Sequence, residues 1–220
     1  MINFHPTTQQ LDAFSLGECE PALALMVAAH IDMCSHCQRI VNGLQEVQAI
    51  AQLSDVTTLS PDMHKMMANI MQLPQSKPAV VKPATDITIE LDGKRFKLPR
   101  ALKRYAGKTG SWSRLVGKLW QAPVDLGYPG KAHFIYMEKG GKVPEHTHKG
   151  SELTLVIDGQ YSDGIADYDC GDLTLLDGQH NHQPFSEADD GCLVFTIVDK
   201  PLYFTSGIAR LLNPFSNLFF

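Results

Sequence analysis

The sequence predicts an α+β protein of two domains, an all-α N-terminal domain followed by a β-barrel of short strands. Three observations predict it. Apolar residues recur at spacings of three and four through about residue 75, the period of a helix with one buried face. Leu73 to Thr85 then holds Pro74, Pro78 and Pro83 among Gln, Ser and Lys, the composition of a boundary. From about Ser111, short β-rich runs alternate with turns such as Gly140-Gly141, Asp158-Gly159, Asp163-Gly164, Cys170-Gly171 and Asp177-Gly178. The divisions expected are a helical domain at 1–80, a linker at 81–104, a barrel at 105–205 and a tail at 206–220.

Thr7 or Thr8 caps a first helix that carries Leu11, Phe14 and Leu16, and Gly17 stops it. Glu20-Pro21 opens a second, because proline suits the first turn. Its apolar positions, Leu23, Leu25, Met26, Val27 and Ile31, run on toward Cys34. A third segment, about Cys34 to Leu53, carries Ile40, Val41, Leu44, Val47, Ile50 and Leu53 as an amphipathic stripe. Ser60-Pro61-Asp62 starts a fourth, striped with Met63, Met66, Met67, Ile70 and Met71. Core packing is the expectation for that stripe, and an adaptable binding surface is the alternative. Ile87 to Gly93 reads as a strand and turn. Further strands are expected at His133 to Met137, Leu153 to Ile157, Gly159 to Ser162, Asp172 to Leu176 and Cys192 to Val198. The apolar segment Gly207 to Phe220 is expected to pack on the barrel or at an interface.

Composition narrows the function. A formal net charge of -5 argues against a nucleic-acid binder, which carries a basic patch. The N-terminus has no basic region followed by an apolar run, and the longest apolar stretch, about Pro21 to Ile31, is too short to span a bilayer. The chain therefore reads as cytoplasmic. In that compartment five cysteines, two of them in a C-x2-C, point to metal or redox chemistry rather than to structural disulfides.

Two clusters carry metal-ligand chemistry. His30, Cys34 and Cys37 form H-x3-C-x2-C; on a continuous helix these spacings place the side chains on one face, with His36 on the opposite side. Two thiols and an imidazole are most of a tetrahedral zinc site. His5, ahead of the first helix, is the best fourth ligand, and Cys19 a weaker one. Four protein ligands leave no open position, so this is a structural site. The alternative is a helix with two buried thiols and a neutral histidine.

The second cluster, Gly140-x5-His146-x-His148-x3-Glu152-x6-Gly159, fits the first cupin motif at every position. His146 and His148 share one face of a strand, and Glu152 returns on the next. The second cupin motif is degenerate: counting from Gly171, Asp177 stands at the proline position and Gln179 at the glycine position, and the histidine falls on His182, with His180 the runner-up. Three histidines and a glutamate can hold zinc, manganese, iron or nickel. A barrel that has lost its metal is the alternative.

The two modules in this order resemble the ChrR-type zinc-dependent anti-sigma factors, in which a helical zinc-binding anti-sigma domain precedes a cupin-like domain. The residues that carry the resemblance are His5, His30, Cys34 and Cys37, then His146, His148, Glu152 and His182. It implies that the helices wrap an extracytoplasmic-function (ECF, group IV) sigma factor and cover its core-polymerase surfaces. It implies zinc at the first four residues, and zinc or another divalent metal at the second four. It implies a cupin-like domain dispensable for inhibition but needed for release on singlet oxygen or peroxide stress. Cys192 lies where the family carries two cysteines two apart, and the partner position here is Val194. No direct nucleic-acid or membrane contact and no enzymatic activity are expected, and the oligomeric state stays open. The competing reading is a cupin-type metal-dependent dioxygenase or oxidase with a regulatory helical domain.

Overall fold

The computed structural model describes residues 1–53, 60–74, 87–115, 117–128, 130–207, 209–211 and 213–214. Most of the proline-rich boundary and the last six residues, 215–220, lie outside the described residues.

Four helices come first: α1 (Thr8–Leu16), α2 (Pro21–Met33), α3 (Ser35–Leu53) and α4 (Pro61–Gln72). Their ends follow local chemistry. Thr7 caps α1 in a reciprocal box with Gln10, and Gly17 ends it at a φ of 74°, where a side chain costs energy. Pro21 opens α2, and Ser60 caps α4 through the Met63 N–H. The continuous helix expected through the cysteines is not observed. Cys34 sits between α2 and α3 with an extended backbone, φ -112° and ψ 102°. That break lets two helices, instead of one face, converge on the donor cluster.

The Met stripe is a second correction. Met63, Met66, Met67, Ile70 and Met71 are all exposed, and α4 has no buried residue. The far half of α3 behaves alike: Val41 is buried, whereas Val47, Ile50 and Leu53 are exposed. Periodicity reports that a helix has an apolar face, not what covers it.

A hairpin, β1 (Thr88–Leu91) and β2 (Lys94–Lys97), turns at Asp92-Gly93 with φ of 50° and 79°, the geometry that matches strand twist. The short helix α5 (Arg100–Lys103) follows, its Ala101 N–H donating to Asp32 of α2 at 2.8 Å. The barrel strands are β3 (Ser113–Arg114), β4 (Leu119–Val124), β5 (Lys131–Met137), β6 (Gly141–Lys142), β7 (His146–His148), β8 (Glu152–Ser162), β9 (Asp167–Asp169), β10 (Leu173–Leu176), β11 (Phe185–Ser186), β12 (Cys192–Val198) and β13 (Leu202–Phe204). They are antiparallel in the order β3-β4-β5-β12-β8-β11-β6, with β9 and β10 also on β8 and β13 paired with β7. The two strands expected at 153–157 and 159–162 are one, β8, whose pairing with β12 shifts register between Leu193 and Val194. β4 was not anticipated, since it contains Pro123.

The central strands are buried on both faces, so their alternation separates two cores. Phe134, Tyr136, Leu155, Leu193 and Phe195 point to the side shared with α2, α3 and the β1–β2 hairpin. Ile135, Met137, Val156, Cys192 and Val194 point into the barrel. The helices and the barrel thus share one hydrophobic core.

Candidate metal centres

The helical cluster is built from four places along the chain. His5 comes from the segment ahead of α1, His30 from the last turn of α2, Cys34 from the break, and Cys37 from the first turn of α3. His5 Nδ1 lies 3.3 Å from His30 Nε2, 3.5 Å from Cys34 Sγ and 3.4 Å from Cys37 Sγ; His30 Nε2 lies 3.3 Å from Cys37 Sγ. A tetrahedron with ordinary zinc bonds has edges of about 3.3 Å between nitrogens and about 3.5 Å between nitrogen and sulfur. The four donors therefore stand near the corners such an ion requires.

Tautomer and protonation agree with that use. His30 Nδ1 faces the Gly171 carbonyl at 2.8 Å, and a carbonyl only accepts. Nδ1 must carry the proton, which leaves the Nε2 lone pair toward the cysteines. Burial holds His30 down to about 4, against the pull of that carbonyl bond. Burial, with Cys34 beside it, pushes the Cys37 thiol up to about 12. Without a cation the Cys37 thiol stays protonated, so a metal would bind there by displacing a proton. Cys19 is not in the group and donates to the Gln10 carbonyl at 3.6 Å; His36 is exposed on α3.

The barrel cluster joins His146 and His148 on β7, Glu152 at the start of β8, and His182, which bridges back to His146. His182 Nε2 lies 3.0 Å from His146 Nε2 and 2.9 Å from His148 Nε2. Glu152 Oε2 lies 2.8 Å from His148 Nε2 and 3.8 Å from His182 Nε2. Nitrogens under about 3.0 Å apart match neighbouring positions of a five- or six-coordinate ion better than the wider edges of a tetrahedron. His146 Nδ1 donates to the Pro144 carbonyl at 2.8 Å, so its Nε2 lone pair also faces inward.

Burial lowers His146 to about 4. Burial alone would raise Glu152, but His148, His146 and His182 pull it down to about 2. Glu152 Oε2 is buried, with His148 Nε2 at 2.8 Å beside it. Three imidazole nitrogens and a carboxylate oxygen gathered at a single buried point suit a bound cation. His180 lies outside this group, exposed and 2.9 Å from Asp177.

Several residues around this centre are not marked by any spacing in the sequence. Thr154 and Thr196 donate to Glu152 Oε1 at 3.0 and 3.1 Å and so aim Oε2 at the histidines. Asp163 Oδ2 accepts from Tyr168 at 2.9 Å and stands 3.7 Å from His182 Nδ1. Burial opposes its ionisation, yet His182, two backbone N–H groups and Tyr168 hold it down to about 2. A cavity of about 40 Å³ adjoins the donors, lined by Ile135, Val143, Tyr161, Leu176 and Val194. No helix among the described residues is long and apolar enough to cross a membrane.

Residues 129–200 match the family model of the ChrR cupin-like domain. The anti-sigma-E factor ChrR of Cereibacter sphaeroides is 27% identical over 219 residues, 97% of this chain and 98% of that protein. The crystal structure of Rhodobacter sphaeroides SigE in complex with the anti-sigma ChrR matches with a TM-score of 0.66 and 23% identity, covering 90% of this chain and 100% of that one. The chain is thus similar to ChrR along nearly its whole length, and residues 129–200 of the barrel match the ChrR cupin-like domain.

Proposed function

We propose that this protein is an anti-sigma factor that sequesters an ECF (group IV) sigma factor through its helical part. The observation that carries the reading is α4. Every apolar side chain of its stripe is exposed, and Val47, Ile50 and Leu53 on the far half of α3 are exposed as well. A helix of twelve residues with no buried side chain is marginal alone. It gains its stability by laying that face on a partner, and methionines adapt to an irregular one. The end-to-end similarity to an anti-sigma factor names the class of partner.

In this reading His5, His30, Cys34 and Cys37 hold zinc and fix α2, α3 and the N-terminal segment relative to one another. His146, His148, Glu152 and His182 hold zinc or another divalent metal. The protein acts by binding in the cytoplasm and is not an enzyme. Release follows singlet oxygen or peroxide stress through the barrel, and oxidation of a thiolate at the helical centre would also eject its metal. The test is co-purification of the full chain with each group IV sigma factor of its host, with metal content measured. A stoichiometric complex with two metals per chain supports the reading, and its absence with every such factor sinks it.

The cupin dioxygenase or oxidase stays as the second reading, favoured by the crowded donor spacing, which leaves coordination positions free. The similarity to an anti-sigma factor over nearly the whole chain weighs against it.

A further inference from the structure

The helical centre is not made by the helices alone. We propose that the turn between β9 and β10 belongs to it, with Gly171 and Asp172 as positioning residues that hold His30 and His5 in donor geometry. This rests on the reading that the four helical donors bind a metal, and not on the identity of any partner.

Three observations carry it. The Gly171 carbonyl accepts from His30 Nδ1 at 2.8 Å, a buried bond across 141 residues of chain. The Asp172 carboxylate, fully buried, accepts from the Asn3 and Phe4 N–H groups at 2.6 and 2.9 Å through one oxygen. Its other oxygen accepts from Asp169 N–H at 2.7 Å, which ties the turn to itself. The Leu173 N–H then donates to the Phe4 carbonyl at 3.0 Å. These bonds fix the backbone immediately before His5, a residue that no helix holds.

Packing is as close as the hydrogen bonding. Gly171 has a φ of 96°, and a Cβ there would lie 2.4 Å from Ile2 Cδ1. The Phe4 ring packs on Tyr168 at 4.7 Å. The barrel therefore supplies the orienting hydrogen bond of one donor and the anchor of another. Groups placed like this around ligands commonly set metal affinity by about 10–100-fold. Movement of the turn would be felt at the helical donors, which gives the barrel a physical hold on them.

The test is a Co²⁺ titration of the metal-free full chain, reading the thiolate-to-cobalt charge-transfer and d–d bands of the two-sulfur centre. For Asp172→Ala the expected result is a loss of about 10–100-fold in affinity at that centre, with a changed d–d envelope as His5 leaves. Asp172→Asn keeps an acceptor for Asn3 and Phe4 and recovers most of the affinity. Unchanged affinity and bands in Asp172→Ala overturn the proposal and leave the metal reading intact. No thiolate–cobalt band in the unchanged protein overturns both. Should Asp172→Ala not fold, hydrogen exchange on the unchanged, metal-loaded protein decides. Asn3 and Phe4 amides protected against exchange support the anchor, and exchange at the free-chain rate overturns it.

Discussion

Replacing Met67 and Ile70 together by glutamine separates a docking face from a packed one. Glutamine matches methionine in helix propensity, so α4 itself is little disturbed. In the free chain Met67 is 48% and Ile70 57% exposed, and neither supports a core. Substitutions at such positions stay within about 0.5 kcal/mol of stability. In a complex that covers α4, each side chain would lose the exposed half of its surface. Complete burial of such a side chain is worth about 1.5–3 kcal/mol, so half is about 1 kcal/mol each and about 2 kcal/mol for the pair. That weakens partner binding by about thirtyfold. Isothermal titration with the cognate sigma factor reads the affinity, and thermal unfolding of the free chain reads stability. Unchanged affinity, or a large fall in melting temperature with no partner present, would refute the docking face.

Other expectations follow from the two centres and the core. Cys37→Ser removes one of four donors, so metal content of the purified full chain falls from two to one per molecule, and sigma binding is lost with it. Thr154→Val with Thr196→Val frees Glu152 to turn, which weakens metal binding in the barrel about tenfold while the thiolate–cobalt bands stay unchanged. Phe195→Ala empties a fully buried site against Phe134, at a cost of about 3–5 kcal/mol in urea unfolding.

What was legible in the sequence was local. Caps and stops at Thr7, Gly17, Pro21 and Ser60 are set by neighbours within four residues, so helix ends could be read closely. The donor sets were legible because His30-x3-Cys34-x2-Cys37 and His146-x-His148-x3-Glu152 have chemical meaning at short spacing. The break at Cys34 was not, since neither glycine nor proline marks it. There the convergence of two helices on the donors overrides helix continuity. The exposed stripe of α4 was misjudged because amphipathic spacing is the same whether a core or a partner covers it. The groups that orient the donors were out of reach for another reason. Thr196 acts on Glu152 across 44 residues, and Asp172 on Phe4 across 168, distances at which no periodicity carries a signal.

The most direct measurement is the affinity of the full chain for its cognate group IV sigma factor, before and after complete removal of bound metal by a chelator. The expected result is a one-to-one complex that is lost on stripping and restored by zinc alone. Equal affinity in both states, or no binding to any group IV sigma factor of the host, would contradict a metal-held sigma clamp.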